Sequence, residues 1–206
     1  MKSIQAAFDL MGWQGEAIPE RHAIRSIFNG RETSYQTFVM RLPGEGLYRF
    51  VILCPIEVPR QNLGVVGEFL HRINATLPLG AFELDFERLA IRWVGSVESM
   101  GDAIPAPWIG SSLQRGLTSF ETVWPELIAV CEGRLAAQAA ELRCQLAMEL
   151  PQLNAAFNEQ GLTLSLTSIE EDGNLAVLVE GGPLEPVQKS LHELFGENLP
   201  FDVRAN

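Results

Sequence analysis

A row of acidic residues on one predicted strand has the residue types and the spacing that could do chemistry. Glu83, Asp85 and Glu87 alternate with apolar residues, so an extended chain would place the three carboxylates on one face. Consecutive members of such a row stand about 7 Å apart, which is too far for one ion to bind all three unless other strands contribute ligands. A solvated strand face paired with Arg88 and Arg92 is therefore the preferred interpretation, and a polar wall of a protein-binding groove is the alternative.

The histidines and cysteines do not form a second candidate group for metal binding or catalysis. His22, His71 and His192 lie on different predicted elements, and no His-x-x-x-His or Cys-x-x-Cys spacing occurs. Cys54 ends an apolar run and Cys131 continues a helical apolar pattern, so both are expected to be buried small hydrophobic residues. The residue pattern therefore predicts no catalytic residue, no metal site and no cofactor.

The composition predicts a well-buried core and disfavours polyanionic partners. Of 206 residues, 47% are hydrophobic and 20% are charged, which argues against global disorder. The formal net charge of -11 disfavours nucleic acid and anionic membrane surfaces, because binding to phosphates needs clustered Lys and Arg. The sequence has no apolar run of signal-peptide or membrane-spanning length, so we expect a cytoplasmic protein with neutral or basic partners.

Apolar spacing predicts a helix, three strands, a second helix and a hairpin, in that order, in the N-terminal part of the chain. Phe38 and Met40 belong to a strand whose alternation is typical of a half-buried position, and Pro43–Gly46 is expected to form the turn that follows it. The predicted elements are a helix over 2–12, strands over 22–28, 35–42 and 47–56, a helix over 63–77 and a hairpin over 82–93.

The helix predicted over 63–77 has an apolar surface wider than packing on a sheet requires. At about 100° per residue, its central apolar residues span an arc of roughly 80°, and Val65 and Phe69 widen that arc to roughly 160°. Two interpretations remain open. Either Phe69 belongs to the core, or this edge of the helix packs on a second subunit.

The C-terminal part is expected to contain helices and a small appendage. Residues 99–112 predict an irregular connection, and the helix that follows is expected to kink or restart at Pro125. A long helix from Arg134 toward Gln160, with Gly133 and Pro151 as its weak points, leads into an α-β-β-α-β appendage over 153–206. The expected fold class is α+β, an antiparallel sheet flanked by helices, with domains over 1–132 and 133–206.

The segment from Val66 to Val94 resembles the YbjN-like family, which shares its fold with type III secretion chaperones. Its motifs are Glu68-Phe69-Leu70 in the helix, Leu77-Pro78-Leu79-Gly80 at the hinge and Phe82-Glu83-Leu84-Asp85 in the next strand. The resemblance extends over residues 1 to about 132. It implies a non-enzymatic module, usually a homodimer, that holds or escorts another protein, and it supplies no catalytic residues. Similar proteins in cyanobacteria assist the assembly of complexes that include the carboxysome.

From this resemblance we expect a protein-binding or assembly chaperone that offers a hydrophobic groove to a partner protein. The candidate protein-binding residues are Val65, Phe69, Phe38, Met40, Glu83 and Asp85. The alternative is a regulatory small-molecule sensor with a pocket between the two portions of the chain, where Trp93, Trp108 and Trp124 could line a cavity. A structural subunit of a larger complex is a third possibility.

Overall fold

Six antiparallel strands form the sheet of the first of two compact units, which comprise Met1–Trp124 and Pro125–Asn206. The computed structural model describes residues 2–42, 46–99, 104–167, 176–196 and 201–206. The sheet has the order β1-β2-β3-β4-β6-β5. Its strands are β1 (Glu16–Ile18), β2 (Ala23–Asn29), β3 (Ser34–Arg41), β4 (Leu47–Glu57), β5 (Ala81–Asp85) and β6 (Ala90–Glu98).

Three helices pack on one face of this sheet. They are α1 (Lys2–Leu10), α2 (Leu63–Asn74) and α3 (Ala106–Cys131), of which α3 continues into the second unit. Phe120 of α3 lies with its ring centroid 5.3 Å from that of Tyr35 in β3 and 4.9 Å from that of Phe82 in β5. Ser3 of α1 hydrogen-bonds the hydroxyl of Tyr48 in β4 at 3.2 Å. Full burial of a large apolar side chain such as that of Phe120 stabilises a fold by about 1.5–3 kcal/mol.

The second unit combines two helices with a three-stranded sheet. Strands β7 and β8 pair antiparallel, whereas β8 and β9 pair parallel. Apolar residues of α4, β7, β8 and the following helix form one buried cluster that includes Phe157, Leu164 and Val179. The elements are α4 (Ala137–Asn158), β7 (Thr163–Leu166), β8 (Ala176–Glu180), α5 (Glu185–Phe195) and β9 (Asp202–Ala205).

The α+β class with an antiparallel sheet flanked by helices is confirmed, and the structure differs from the sequence-based expectations in local details. The short strand β1 was not predicted, and the connection expected to be irregular over 99–112 is helical from Ala106 onward. At Pro125, where a kink or a restart is expected, helix α3 continues without a restart, and the kink stays a prediction. The turn expected at Pro43–Gly46 lies outside the described residues except for Gly46, and the turn expected at Asp172–Asn174 lies wholly outside them.

Two further expectations concern the C-terminal half. The break between the two long helices falls at Gly133, whose φ of 76° is left-handed, while Pro151 lies inside α4. The two-domain division at residue 132 stays a prediction. Among the helices that the structure describes, none combines the length and the apolarity needed to cross a bilayer.

Candidate functional site

The sheet of the first unit has a second face, whose central residues are apolar. Directly opposed residues on antiparallel strands point to the same side of a sheet. The pairing places Phe38 opposite Val51, Val51 opposite Val94, and Val94 opposite Ala81, which gives an apolar row across four strands. We call this surface the outer face and define it by Ile27, Phe38, Met40, Val51, Leu53 and Val94.

The outer face is apolar at its centre and charged around it. Phe38, Met40 and Val51 are half-buried, and Ile27 is 66% exposed. Arg49 is exposed two residues before Val51 on the same strand, and it pairs with Met40 across the strands. At the β5–β6 side, Arg92 Nε donates to Glu83 Oε2 at 2.7 Å, and at the β1–β2 side Arg25 pairs with Glu16. An apolar patch with a charged rim has the anatomy of a protein-binding surface.

The six residues predicted for protein binding do not lie together. Phe38 and Met40 are on the outer face, and Glu83 lies at the β5 side of the same face. Val65 is half-buried on α2. Phe69, also on α2, is 0% exposed, so the core interpretation of Phe69 is correct and its use as a surface contact is a corrected expectation.

The carboxylate of Asp85 accepts hydrogen bonds within the turn between β5 and β6. Its Oδ1 accepts hydrogen bonds from the backbone N–H groups of Glu87 at 3.1 Å and Arg88 at 2.9 Å. Its Oδ2 accepts from the Arg88 guanidinium at 2.9 Å. The backbone and side-chain hydrogen bonds from Arg88 lower the pKa of this carboxyl group. Asp85 is therefore a turn residue with both oxygens engaged, and no cluster of metal-ligating side chains occurs among the described residues.

A cleft of about 280 Å³ lies between the hinge after α2, the strands β4 and β6 and the first turns of α3. Two large apolar side chains at this cleft are exposed, Leu79 at 57% and Trp108 at 49%. The remaining lining residues are Phe50, Gly80, Trp93, Gly95, Ser96, Val97, Ser111, Ser112 and Arg115. Trp93 and Trp108 thus share a cleft inside the first unit, but Trp124 is not among its lining residues.

Three glycines surround the indole of Trp93. A Cβ atom at Gly80 would lie 2.1 Å from the nearest Trp93 ring atom, and one at Gly95 would lie 2.4 Å from it. A Cβ atom at Gly116 would lie 2.5 Å from Ile52 Cδ1 and 2.6 Å from Trp93 Cε3. The Trp93 side chain is 2% exposed, and its Nε1–H donates to no acceptor among the described residues. The sequence showed the glycine of the Leu-Pro-Leu-Gly hinge, but only the fold shows that three separate elements provide space for one ring.

A more polar cleft of about 550 Å³ lies at the end of β2 beside α3. Glu121 Oε2 accepts a hydrogen bond from the backbone N–H of Arg31 at 3.1 Å. Burial, reinforced by the nearby Glu121, raises the pKa of the Tyr35 hydroxyl. Tyr35 is therefore a neutral core residue, and its ring stacks on Phe120. Trp124 also packs against it, with centroids 5.8 Å apart.

No protein-family model and no curated protein matches the sequence. The chain is similar to the crystal structure of YbjN, a candidate transcription regulator from E. coli, with a TM-score of 0.43 and 11% identity over 64% of this chain and 88% of that one. It is also similar to a chain of the HopA1–SchA chaperone–effector complex, with a TM-score of 0.41 and 11% identity over 58% of this chain and 87% of that one. These are the family and the chaperone class that residues 66–94 resemble. At TM-scores below 0.5 these likenesses carry no argument about function.

Proposed function

We propose that the chain is a non-enzymatic protein that holds a segment of another protein against the outer face of its first sheet. The observation that carries this proposal is the apolar row Phe38–Val51–Val94, which lies on the sheet face away from α1, α2 and α3. Antiparallel sheets often have one solvated face, and that face then carries polar residues at alternate positions. Here the central positions Phe38, Val51 and Val94 are apolar instead, which favours a surface that is covered in use.

Strand addition at the β5 edge is the less favoured mode of binding. The backbone N–H and C=O of Phe82 are both hydrogen-bonded by the Asn74 side chain, at 2.7 and 2.9 Å. The backbone N–H and C=O of Phe82 on this edge strand are therefore already hydrogen-bonded and cannot also pair with an incoming strand. The proposal accordingly places the partner on the side chains of the outer face.

We further propose that the protein is a homodimer and that its partner belongs to a larger assembly. The dimer is supported by the resemblance and by exposed apolar side chains outside the outer face, such as Phe86 at 60%. Sedimentation is expected to give a dimer at all micromolar concentrations, and a strict monomer at high micromolar concentration would remove this part of the proposal. Assembly of a complex such as a carboxysome predicts that the captured proteins are subunits of one assembly.

The proposal is tested by affinity capture from an extract of the source organism with quantitative mass spectrometry. The test variant is the double change Phe38→Glu with Met40→Glu, which charges the outer face at two half-buried positions. The matched control is Leu194→Glu, an apolar-to-acidic change at a side chain that is 51% exposed on α5. We expect the wild type and the control to enrich the same proteins and the double variant to lose them. Equal enrichment by all three would contradict the assignment of the outer face.

A further inference from the structure

We propose that the cleft beside Trp93 binds a small organic carboxylate with a flat apolar body. This inference is independent of the protein-binding proposal, because the cleft and the outer face share no defining residue. Its volume of about 280 Å³ is near the lower limit of ligand pockets, which span about 300–1,000 Å³, so the molecule is small.

The polar groups that line the cleft favour a ligand rich in hydrogen-bond acceptors. Ser112 and Arg115 can both donate, and so can the indole N–H of Trp93. Among the described residues that line the cleft there is no Asp or Glu, although the whole chain has 26 acidic residues against 15 basic ones. A carboxylate supplies only acceptors and therefore matches this set of donors.

Arg115 gives the cleft its charge. Its side chain is exposed on α3, and it makes no ion pair with any residue that the structure describes. A guanidinium binds a carboxylate in a planar, bidentate arrangement. A positive lining in a protein of net charge -11 is a local departure from the surrounding field, and it selects an anion over a cation.

The buried indole N–H of Trp93 is the second, independent observation. Its Nε1 lies beside Gly80, which also lines the cleft, and a Cβ at that glycine would stand 2.9 Å from Nε1. A buried donor without an acceptor costs about 1–3 kcal/mol, so an acceptor in the cleft next to Gly80 would recover stability.

The apolar body of the ligand is inferred from the rim. Leu79 and Trp108 are exposed at 57% and 49%, and both line this cleft. A flat ring that packs against the Trp108 indole would remove apolar surface from water and gain the stacking preference of aromatic pairs, about 0.5–1.5 kcal/mol. A carboxylate at Arg115 with a ring at Trp108 therefore satisfies the charge, the donors and the apolar rim together.

The test observes the indole N–H signals of the full chain, labelled with ¹⁵N-tryptophan, by two-dimensional NMR. The chain has four tryptophans, and single Trp→Phe variants assign their four signals. Benzoate, phenylacetate and indole-3-acetate are titrated to about 10 mM, a range that detects millimolar affinity. We expect saturable shifts of the Trp93 and Trp108 signals with at least one carboxylate, while the signals of Trp13 and Trp124 stay fixed.

Two controls separate the carboxylate from its apolar body and Arg115 from other arginines. The neutral amides of the same three acids are expected to bind at least about ten-fold more weakly, and Arg115→Gln is expected to weaken the acid by a similar factor. Arg49→Gln, an exposed arginine of the outer face, should leave the affinity unchanged. The Phe38→Glu, Met40→Glu double variant should also keep it, so that failure here is distinct from failure of the protein-binding proposal.

Several results would overturn the inference. No saturable shift with any of the three acids would mean that water alone occupies the cleft. Equal affinity for acids and amides, or full affinity in Arg115→Gln, would remove the anionic class. Shifts of all four tryptophan signals would indicate non-specific binding. Because Arg115 is exposed, its replacement is expected to change stability by no more than about 0.5 kcal/mol, and unchanged Trp13 and Trp124 signals would verify the fold.

Discussion

The side-chain amide of Asn74 holds the backbone of Phe82 by two hydrogen bonds. Asn74 Oδ1 accepts from the N–H of Phe82 at 2.7 Å, and Asn74 Nδ2 donates to its carbonyl oxygen at 2.9 Å. Asn74 is the last residue of α2, and Phe82 belongs to β5, the edge strand of the sheet. One side chain thus fixes the end of the helix to the following hairpin and pairs backbone groups that an edge strand otherwise leaves open.

The second unit contains the same contact. Asn154 Oδ1 accepts from the N–H of Leu164 at 2.6 Å, and Asn154 Nδ2 donates to the Leu164 carbonyl at 2.9 Å. Asn154 lies on α4 and Leu164 on β7, which is again an edge strand that opens a strand pair followed by a helix. The helix–hairpin–helix order seen in both portions of the sequence therefore shares a specific hydrogen-bonded contact as well as an order of elements.

We expect Asn74→Ala and Asn154→Ala each to lower the free energy of unfolding by about 1–3 kcal/mol, because each leaves one backbone donor and one acceptor of an edge strand unpaired. Urea unfolding followed by circular dichroism measures the change. Asn158→Ala, at an exposed asparagine near the end of α4, is the control and should stay within about 0.5 kcal/mol of the wild type. Wild-type stability in Asn74→Ala would show that water replaces the amide at no cost.

The packing of Trp93 predicts that glycine is required at position 116 of α3. A Cβ there would lie 2.5 Å from Ile52 Cδ1 and 2.6 Å from Trp93 Cε3, so Gly116→Ala is expected to destabilise by about 1–3 kcal/mol through overpacking. Thermal unfolding with tryptophan fluorescence would report both the loss and the altered indole environment.

A second helical glycine provides the control for Gly116. A Cβ at Gly64 of α2 meets nothing within 4 Å, so Gly64→Ala should raise stability by up to about 1 kcal/mol through its better helix propensity. The opposite signs of the two changes are the prediction. If both alanines stabilised the protein, the close contact at Gly116 would be wrong.

The sequence predicted most of the fold because the apolar periodicity is local. Alternation in β3 and β4 and the helical spacing in α2 each follow from neighbours a few residues apart. The start of α3 at Ala106 was missed, because two prolines and nearby glycines suggested a loop while proline is compatible with the first turn of a helix. The three-residue strand β1 is paired only with β2 and has too short a pattern to recognise.

The candidate site was less predictable, because it depends on residues far apart in the sequence. The alternation within one strand predicts Phe38 and Met40. The outer face also needs Val51 and Val94 beside Phe38, and the register that aligns them is not visible in a single strand. The cleft joins Leu79, Trp93 and Arg115 from three elements. Their proximity follows from helix packing on the sheet, for which the sequence had no local signal.

A buried ion pair in the second unit gives a third prediction. Arg143 Nε donates to Glu126 Oε1 at 3.1 Å, and the two side chains are 6% and 7% exposed. Removing one partner leaves a buried charge, so Arg143→Met alone is expected to cost about 3–5 kcal/mol. The double change of Arg143→Met with Glu126→Leu should recover most of this loss or exceed wild-type stability, as measured by urea unfolding.

The exposed pair Arg134–Glu132 is the control for that experiment. Its side chains are 32% and 55% exposed, so water already screens the two charges. Arg134→Met is expected to change the free energy of unfolding by less than about 1 kcal/mol. Comparable losses from Arg134→Met and Arg143→Met would show that burial does not govern the energetics of the Glu126 pair.

Because the thiol of Cys131 is buried, we expect the protein to lose stability in alkaline solution. Burial, with a smaller contribution from the nearby Glu132, raises the pKa of its thiol from 9.0 to about 11. Between these two values the unfolded chain loses the thiol proton while the folded chain keeps it, so the folded state binds more protons and stability falls as pH rises. The expected slope is about 1.4 kcal/mol per pH unit, up to about 2.7 kcal/mol in all. Below pH 9 the thiol contributes no pH dependence.

Urea unfolding at pH 8, 9, 10 and 11 tests this expectation when wild type is compared with Cys131→Ala. Burial also raises the pKa values of the Cys144 thiol and the Tyr35 hydroxyl, and both groups lower stability in the same direction as pH rises. The difference between the two proteins isolates Cys131, because those groups are present in both. The alanine variant is expected to be less stable at pH 8 through lost packing, and to lose less stability on going to pH 11. Parallel pH profiles would mean that the Cys131 thiol ionises equally in the folded and unfolded chains.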